Sequence, residues 1–294
     1  MRPQVVIVAT LLLNVVLFAI NLLVAIPSGS RAVLSQAIYS IADVVASGLL
    51  LWGFYASRRT PTHEHPFGFG KERFFWAFMA SFVTFTVAGL AVLFTGLERV
   101  LQPQPINFVL AGTATIGIAL AASIGGIAIA VLELRRSGES IRSLLDSPHL
   151  GVKTIFLQDV VSVAASGVAF VGIALVAFDG IEVADGLSAC VVGGLLVAGG
   201  LVLSAQSREF LIGKSIPPAM ARQILTFVER DPRIRAVRTM QSMMLGPDDV
   251  LLTLKVNFID GLTTDHIERE IDMLSAGLRA EFPRLRHIII EPES

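Results

Sequence analysis

The sequence predicts an α-helical membrane protein of six transmembrane helices, followed by a small C-terminal cytoplasmic α+β domain. Three observations lead there. Hydrophobic residues fill 53% of the 294 positions and charged residues only 16%, with a mean hydropathy of +0.71. Soluble domains carry roughly 25% charged residues. Charge is sparse up to about Val202 and dense from Arg208 to Ser294. Finally, six apolar stretches are each long enough to cross a hydrocarbon core of about 30 Å at about 1.5 Å per residue. The expected division is a membrane domain over 1–207 and a cytoplasmic domain over 208–294.

The six spans are expected near 5–26, 33–55, 74–97, 108–132, 152–178 and 183–204. The first begins almost at once after Met1-Arg-Pro-Gln. Its apolar run is too long for a signal-peptide core and lacks a small-residue cleavage site near its end, so it reads as a span. Basic residues set the orientation. The connection between spans two and three holds Arg58, Arg59, Lys71 and Arg73, and that between four and five holds Arg135, Arg136 and Arg142, with Lys153 at its end. The other connections offer Arg31, Arg99 and no basic residue, respectively. The positive-inside rule places both basic loops and both termini in the cytoplasm. Short loops and the lack of a targeting segment fit a bacterial inner membrane.

Glycines are frequent in the later spans: Gly117, Gly125, Gly126, Gly193, Gly194, Gly199 and Gly200. Close helix approach in the sixth span is the expected reason, since small residues let backbones pack in lipid. The single cysteine, Cys190, lies in an apolar run, which leaves no disulfide framework and no cysteine metal cluster. A net charge of −1 gives no sign of a nucleic-acid partner.

Beyond Arg208 the pattern changes. Pro217–Arg230 has helical spacing, with Met220, Ile224, Leu225 and Val228 on one side. Ile234–Leu245 and Val250–Phe258 alternate like strands, split by the turn signal Gly246-Pro-Asp-Asp249. Thr264 stands where a helix cap is expected, ahead of an apolar series at Ile271, Leu274 and Leu278. Arg286–Glu291 closes as a short strand. The predicted order is α-β-β-α-β, and so small a core favours dimerisation.

Two acids interrupt the apolar runs. Asp43 lies in the second span and Asp159 in the fifth, each beside polar residues that a lipid-facing helix would avoid. A carboxylate near a bilayer centre costs about 2.5–3.5 kcal/mol on insertion scales, so it calls for a partner, water or a function. Two of them on separate helices suggest one shared cation site. Asn14 and Asn21, seven residues apart on one face of the first span, read as helix–helix contacts. Ser40, Ser47 and Ser162 are expected to bond to their own helix backbones.

Several local strings carry a family resemblance. They are the Ser-x-x-x-Asp stretch ending at Asp43, the loop His65-Pro-Phe-Gly-Phe-Gly-Lys71-Glu-Arg73, Gln158-Asp159, Asp185 at the start of the sixth span, the exit Arg208-Glu-Phe-Leu-Ile-Gly-Lys-Ser215, and the ending His287-Ile-Ile-Ile-Glu291-Pro292. Their order and spacing together resemble the cation diffusion facilitator family. The resemblance covers nearly the whole chain and implies a ferredoxin-like cytoplasmic domain that dimerises.

What the resemblance implies is efflux of a divalent transition-metal cation from the cytoplasm by metal/proton antiport, with Zn²⁺ first and Fe²⁺ or Mn²⁺ close behind. The partners implied are the metal cation, protons, lipid and a second copy of the chain as a homodimer. The metal is substrate, and no cofactor is expected. The family's site has four ligands as two i, i+4 pairs, which here fall on Tyr39 with Asp43 and on Ile155 with Asp159. Ile155 cannot ligate, and Gln158 is the polar neighbour that could do so through its carbonyl oxygen. Tyr39 remains open as a weak ligand, a donor to Asp43 or packing. The resemblance also marks a loop site at His63 and His65 and a cytoplasmic site at His266, His287 and Glu291. Thr62 and Phe69 stand where some members have an acid and a second histidine, so a solvated loop is the alternative. Lys71, Glu72 and Arg73 open the third span as an interprotomer ion pair or an interface anchor.

Two departures from the ligand pattern keep another class open: a transport-poor paralogue acting as heterodimer partner or metal sensor through its cytoplasmic domain. An enzyme is not expected, because the tail has no nucleophile–base pair, phosphate loop or metal-hydrolase motif.

Overall fold

The computed structural model describes residues 3–28, 31–102, 109–137 and 150–293; some helical side chains, including those of Tyr39, Ile155 and Gln158, lie outside the described residues. The chain divides into two compact units, one of residues 1–56 and 72–208 and one of residues 57–71 and 209–294. The second unit takes in the loop of residues 57–71 that follows the second expected span.

The first unit is helical among its described residues. Its helices are α1 (Pro3–Ser28), α2 (Arg31–Ala56), α3 (Glu72–Ser81), a π-helical segment (Phe82–Val87), α4 (Ala88–Leu101), α5 (Val109–Ser137), α6 (Leu150–Asp179) and α7 (Val183–Ile212). The last runs on into the second unit. Among the described residues, every expected span falls on helix. The third does so with an interruption: six residues in π geometry separate α3 from α4, a local change that apolar periodicity does not reveal. Helices α1, α2, α5, α6 and α7 have 26 to 30 residues. By the stricter test of an unbroken apolar window among described residues, two stand out: Asp159–Val176 within α6, and α7. Shorter apolar runs cover Ile7–Ile20, Ile41–Ala56 and Ile116–Ala128.

Outward-facing side chains of this unit are largely apolar, including Leu12, Leu23, Phe94, Phe170 and Leu201. Exposed apolar surface on this scale needs an apolar solvent. Inside, Leu196 and Leu203 of α7 pack with Val92 of α4 and with Leu157 and Val161 of α6. Close approach of α4 and α7 depends on glycine. A Cβ on Gly193 would stand 2.6 Å from the Leu93 nitrogen, and one on Gly96 would stand 2.7 Å from the Cys190 nitrogen. Gly194, by contrast, faces open space. The expectation of glycine packing in the sixth span holds at Gly193 and not at its neighbour.

At one end of this helix pair, Arg99 of α4 forms a salt bridge with Asp185 of α7. Both are mostly buried, and each charge opposes the dipole end of its own helix. Glu72 accepts a hydrogen bond from Trp76 Nε1 at 2.6 Å, and the Arg73 guanidinium lies 5.0 Å from the Phe54 ring centre.

The second unit contains α8 (Pro218–Glu229), β1 (Ile234–Gly246), β2 (Asp249–Phe258), α9 (Thr264–Glu281) and β3 (Leu285–Pro292). The predicted α-β-β-α-β order is present. The sheet order is β1-β2-β3, with β1 antiparallel and β3 parallel to β2. A parallel partner requires a crossover, and α9 provides it. Alternation decides the buried face: Val250, Leu252, Leu254 and Val256 are buried with Ile224 and Val228 of α8 and Leu274 and Leu278 of α9. Arg233, just before β1, forms a salt bridge with the buried Glu270 of α9. The α9 cap is Thr263, not Thr264: Thr263 has extended backbone, and its side chain accepts a hydrogen bond from His266 N. Thr264 is already helical.

The loop of residues 57–71 is anchored within this unit. Lys71 Nζ donates to the Leu211 carbonyl at 3.4 Å, at the C-terminal end of α7, where a cation is favoured. Gly213 follows that helix end at φ +110°, a conformation that suits glycine alone.

Candidate metal centre

Asp43 sits mid-way along α2, half-buried, and its backbone carbonyl accepts a hydrogen bond from Asn14 Nδ2 of α1 at 3.4 Å. The same Asn14 amide donates to Ser47 Oγ, one turn further along α2, at 3.0 Å. Asn14 thus ties α1 to α2 across the turn that carries Asp43, as expected of a helix–helix contact. Asn21 has a side chain outside the described residues.

Asp159, also half-buried, lies on α6 against α5. The two helices run antiparallel in a regular ladder. Ser123 Oγ donates to Ser162 Oγ at 2.9 Å, Gly126 faces the Asp159 carboxylate, and Phe156 packs on Ile127 and Val131. Ser47 and Ser162 thus each accept a hydrogen bond from a side chain of a neighbouring helix, contacts that the expected pairing with their own backbones does not include; the Ser40 side chain lies outside the described residues. Sequence reasoning missed Ser123 and the role of Gly126, since neither type is unusual in a membrane helix.

Among the described residues, no group of three or more histidine, cysteine, aspartate or glutamate side chains is gathered closely enough to hold a metal ion. This bears on the two other candidate sites. His65 lies against the Phe69 ring with centroids 4.5 Å apart, and His63 is exposed. In the second unit, His266 Nδ1 is 3.0 Å from Thr263 Oγ1 as part of the α9 cap. Glu291 pairs with Lys255 across the β2–β3 ladder at 3.5 Å. His287 stands edge-on to Phe67 at 5.2 Å, with Nε2 3.5 Å from Asp249 Oδ1. His266, His287 and Glu291 are thus each engaged separately, by local partners that their sequence neighbours do not reveal.

Asp249 is half-buried, and His287 is the ion-pair partner of its Oδ1. Burial holds its carboxyl above the usual carboxylate range, against the opposing pull of His287 and Arg286.

The family model for the cation efflux transmembrane domain matches residues 7–212. The chain belongs to the cation diffusion facilitator family. Among its relatives, it is 26% identical over 285 residues to the mitochondrial proton-coupled zinc antiporter SLC30A9 of Xenopus laevis, with 94% of this chain and 51% of that protein covered. The Homo sapiens protein of the same name is 28% identical over 250 residues, covering 83% of this chain and 44% of the relative. Similarity extends to the cation-efflux pump FieF of Pectobacterium carotovorum subsp. carotovorum (strain PC1), 25% identical over 269 residues, with 91% and 85% covered. The chain spans about half the length of the zinc antiporters it matches. As a member of this family it is a membrane protein, and Asp43 and Asp159 both fall inside the matched transmembrane domain.

Proposed function

We propose that this chain exports a divalent transition-metal cation from the cytoplasm in exchange for protons, with zinc as the first substrate and iron or manganese next. One observation carries the reading: two half-buried carboxylates, Asp43 and Asp159, lie in long apolar helices of a cation efflux transmembrane domain. In that setting a charged acid is costly, and either a bound cation or bound protons offset the cost. Metal and protons then compete for the same oxygens, because ligand carboxylates must be deprotonated to bind metal. Facing the cytoplasm, the deprotonated pair captures the cation; facing outward, protonation releases it.

Tyr39 and Gln158 complete the set as accessory oxygen ligands in this reading. The names of the mitochondrial relatives support zinc. An all-oxygen set of two Asp, Gln and Tyr suits harder ions such as iron or manganese. Six helical segments would span a bacterial inner membrane with both termini in the cytoplasm, as the basic loops suggest. The small second unit, with its modest core, would pair with a second copy in a homodimer.

The test is uptake of Zn²⁺, Fe²⁺, Mn²⁺ and Co²⁺ into proteoliposomes, with and without a proton gradient. Uptake of at least one metal that stops when a protonophore collapses the gradient supports antiport. No uptake of any metal by folded protein would favour the partner-or-sensor alternative.

A further inference from the structure

Gly125 and Gly126 are neighbours in α5, yet their surroundings differ. A Cβ added to Gly125 meets nothing within 4 Å. One added to Gly126 would stand 2.9 Å from Asp159 Cγ, with Oδ2 closer still. Non-bonded carbon atoms settle at about 3.5–4.0 Å, so the carboxylate would have to move. Moving the helices apart instead is opposed on both sides. The Ser123–Ser162 hydrogen bond at 2.9 Å holds α5 to α6 one turn away. Phe156 against Ile127 and Val131 holds them on the other side. The i, i+3 spacing of Ser123 with Gly126, and of Asp159 with Ser162, puts both pairs on facing stripes. Asp159 therefore rests its carboxylate in a notch on the α5 backbone that exists because residue 126 has no side chain.

We propose that Gly126 is a positioning residue for cation transport: its bare backbone sets where the Asp159 carboxylate lies, and so makes α5 a wall of the cation site without giving it a ligand. This rests on the reading of Asp159 as a cation ligand. Zinc–oxygen bonds fall within a narrow range of about 2.0–2.2 Å, so a displaced carboxylate loses ground-state affinity more than it loses turnover.

The experiment uses the full chain in proteoliposomes, with proton-driven Zn²⁺ uptake measured for wild type, Gly125→Ala, Gly126→Ala and Asp159→Ala. The expected result is a rise in KM of about tenfold for Gly126→Ala with kcat little changed, wild-type behaviour for Gly125→Ala, and no uptake for Asp159→Ala. Gly126→Ala matching Gly125→Ala, while Asp159→Ala abolishes uptake, would overturn the inference and leave the cation-site reading intact. Wild-type uptake by Asp159→Ala would overturn that reading instead. A second measurement reads the contact without transport: thermal midpoints in detergent for Gly126→Ala in the wild-type and Asp159→Ala backgrounds. Loss of stability only where the carboxylate is present supports the inference; equal loss in both backgrounds defeats it.

Discussion

Asn14 of α1 donates a hydrogen bond to Ser47 Oγ of α2 at 3.0 Å, one turn beyond Asp43. The amide thereby ties two apolar helices together beside the turn that carries Asp43. Interhelical hydrogen bonds in membranes average about 0.6 kcal/mol. Asn14→Leu is expected to lower stability by about 0.5–1.5 kcal/mol and to weaken cation binding by shifting the turn that carries Asp43. Thermal unfolding in detergent and zinc titration check this. Unchanged values in both would show that α1 does not hold α2 in register.

The α4–α7 contact allows a paired test. Gly193 lies against the Leu93 backbone, whereas Gly194 beside it faces open space. Gly193→Val is expected to cost about 1–3 kcal/mol by forcing the helices apart, and Gly194→Val under about 0.5 kcal/mol. Thermal midpoints in detergent compare them directly.

Asp249 gives a pH dependence of definite sign. Its carboxyl is held above its ordinary value of 3.8, so the folded protein binds that proton more tightly than the unfolded chain does. Stability from this group is therefore greatest at low pH and falls as pH rises from about 4 through the folded value. Above that window the cost of burying the carboxylate remains, offset in part by His287 and Arg286. Asp249→Asn is expected to flatten this slope. Unfolding midpoints of the two proteins between about pH 4 and pH 7.5 decide it; a larger slope in the variant would contradict the assignment.

His63 and His65 are expected to contribute no tightly held metal, since His65 lies against Phe69 and no cluster of three ligand side chains forms among the described residues. Equilibrium dialysis with zinc should give the same stoichiometry for wild type and for His63→Ala with His65→Ala. Loss of one bound zinc per chain would restore a loop site.

Much of this architecture was readable from sequence because it depends on local pattern. Apolar runs mark the helical segments, and alternation at Val250, Leu252, Leu254 and Val256 marks β2 and its buried face. What escaped depends on partners distant in the chain. The loop containing Phe67 is compact with the second unit because it meets His287 and the end of α7, more than a hundred residues away. Thr263 and Thr264 are indistinguishable as caps until backbone dihedrals separate them. Arg99 and Asp185 read as unrelated loop-end charges until α4 and α7 pair. Gly125 and Gly126 are likewise equivalent in sequence, and only the α5–α6 register assigns Asp159 to one of them. The acids themselves were conspicuous because apolar helices make a charge expensive.

The central claim is that Asp43 and Asp159 carry the transported cation. Zn²⁺ uptake driven by a proton gradient, compared between wild type and the Asp43→Ala, Asp159→Ala double variant in proteoliposomes of equal protein content, tests it most directly. The account predicts uptake by the wild type and none above empty vesicles by the double variant. Equal uptake by both, from folded protein, would contradict it.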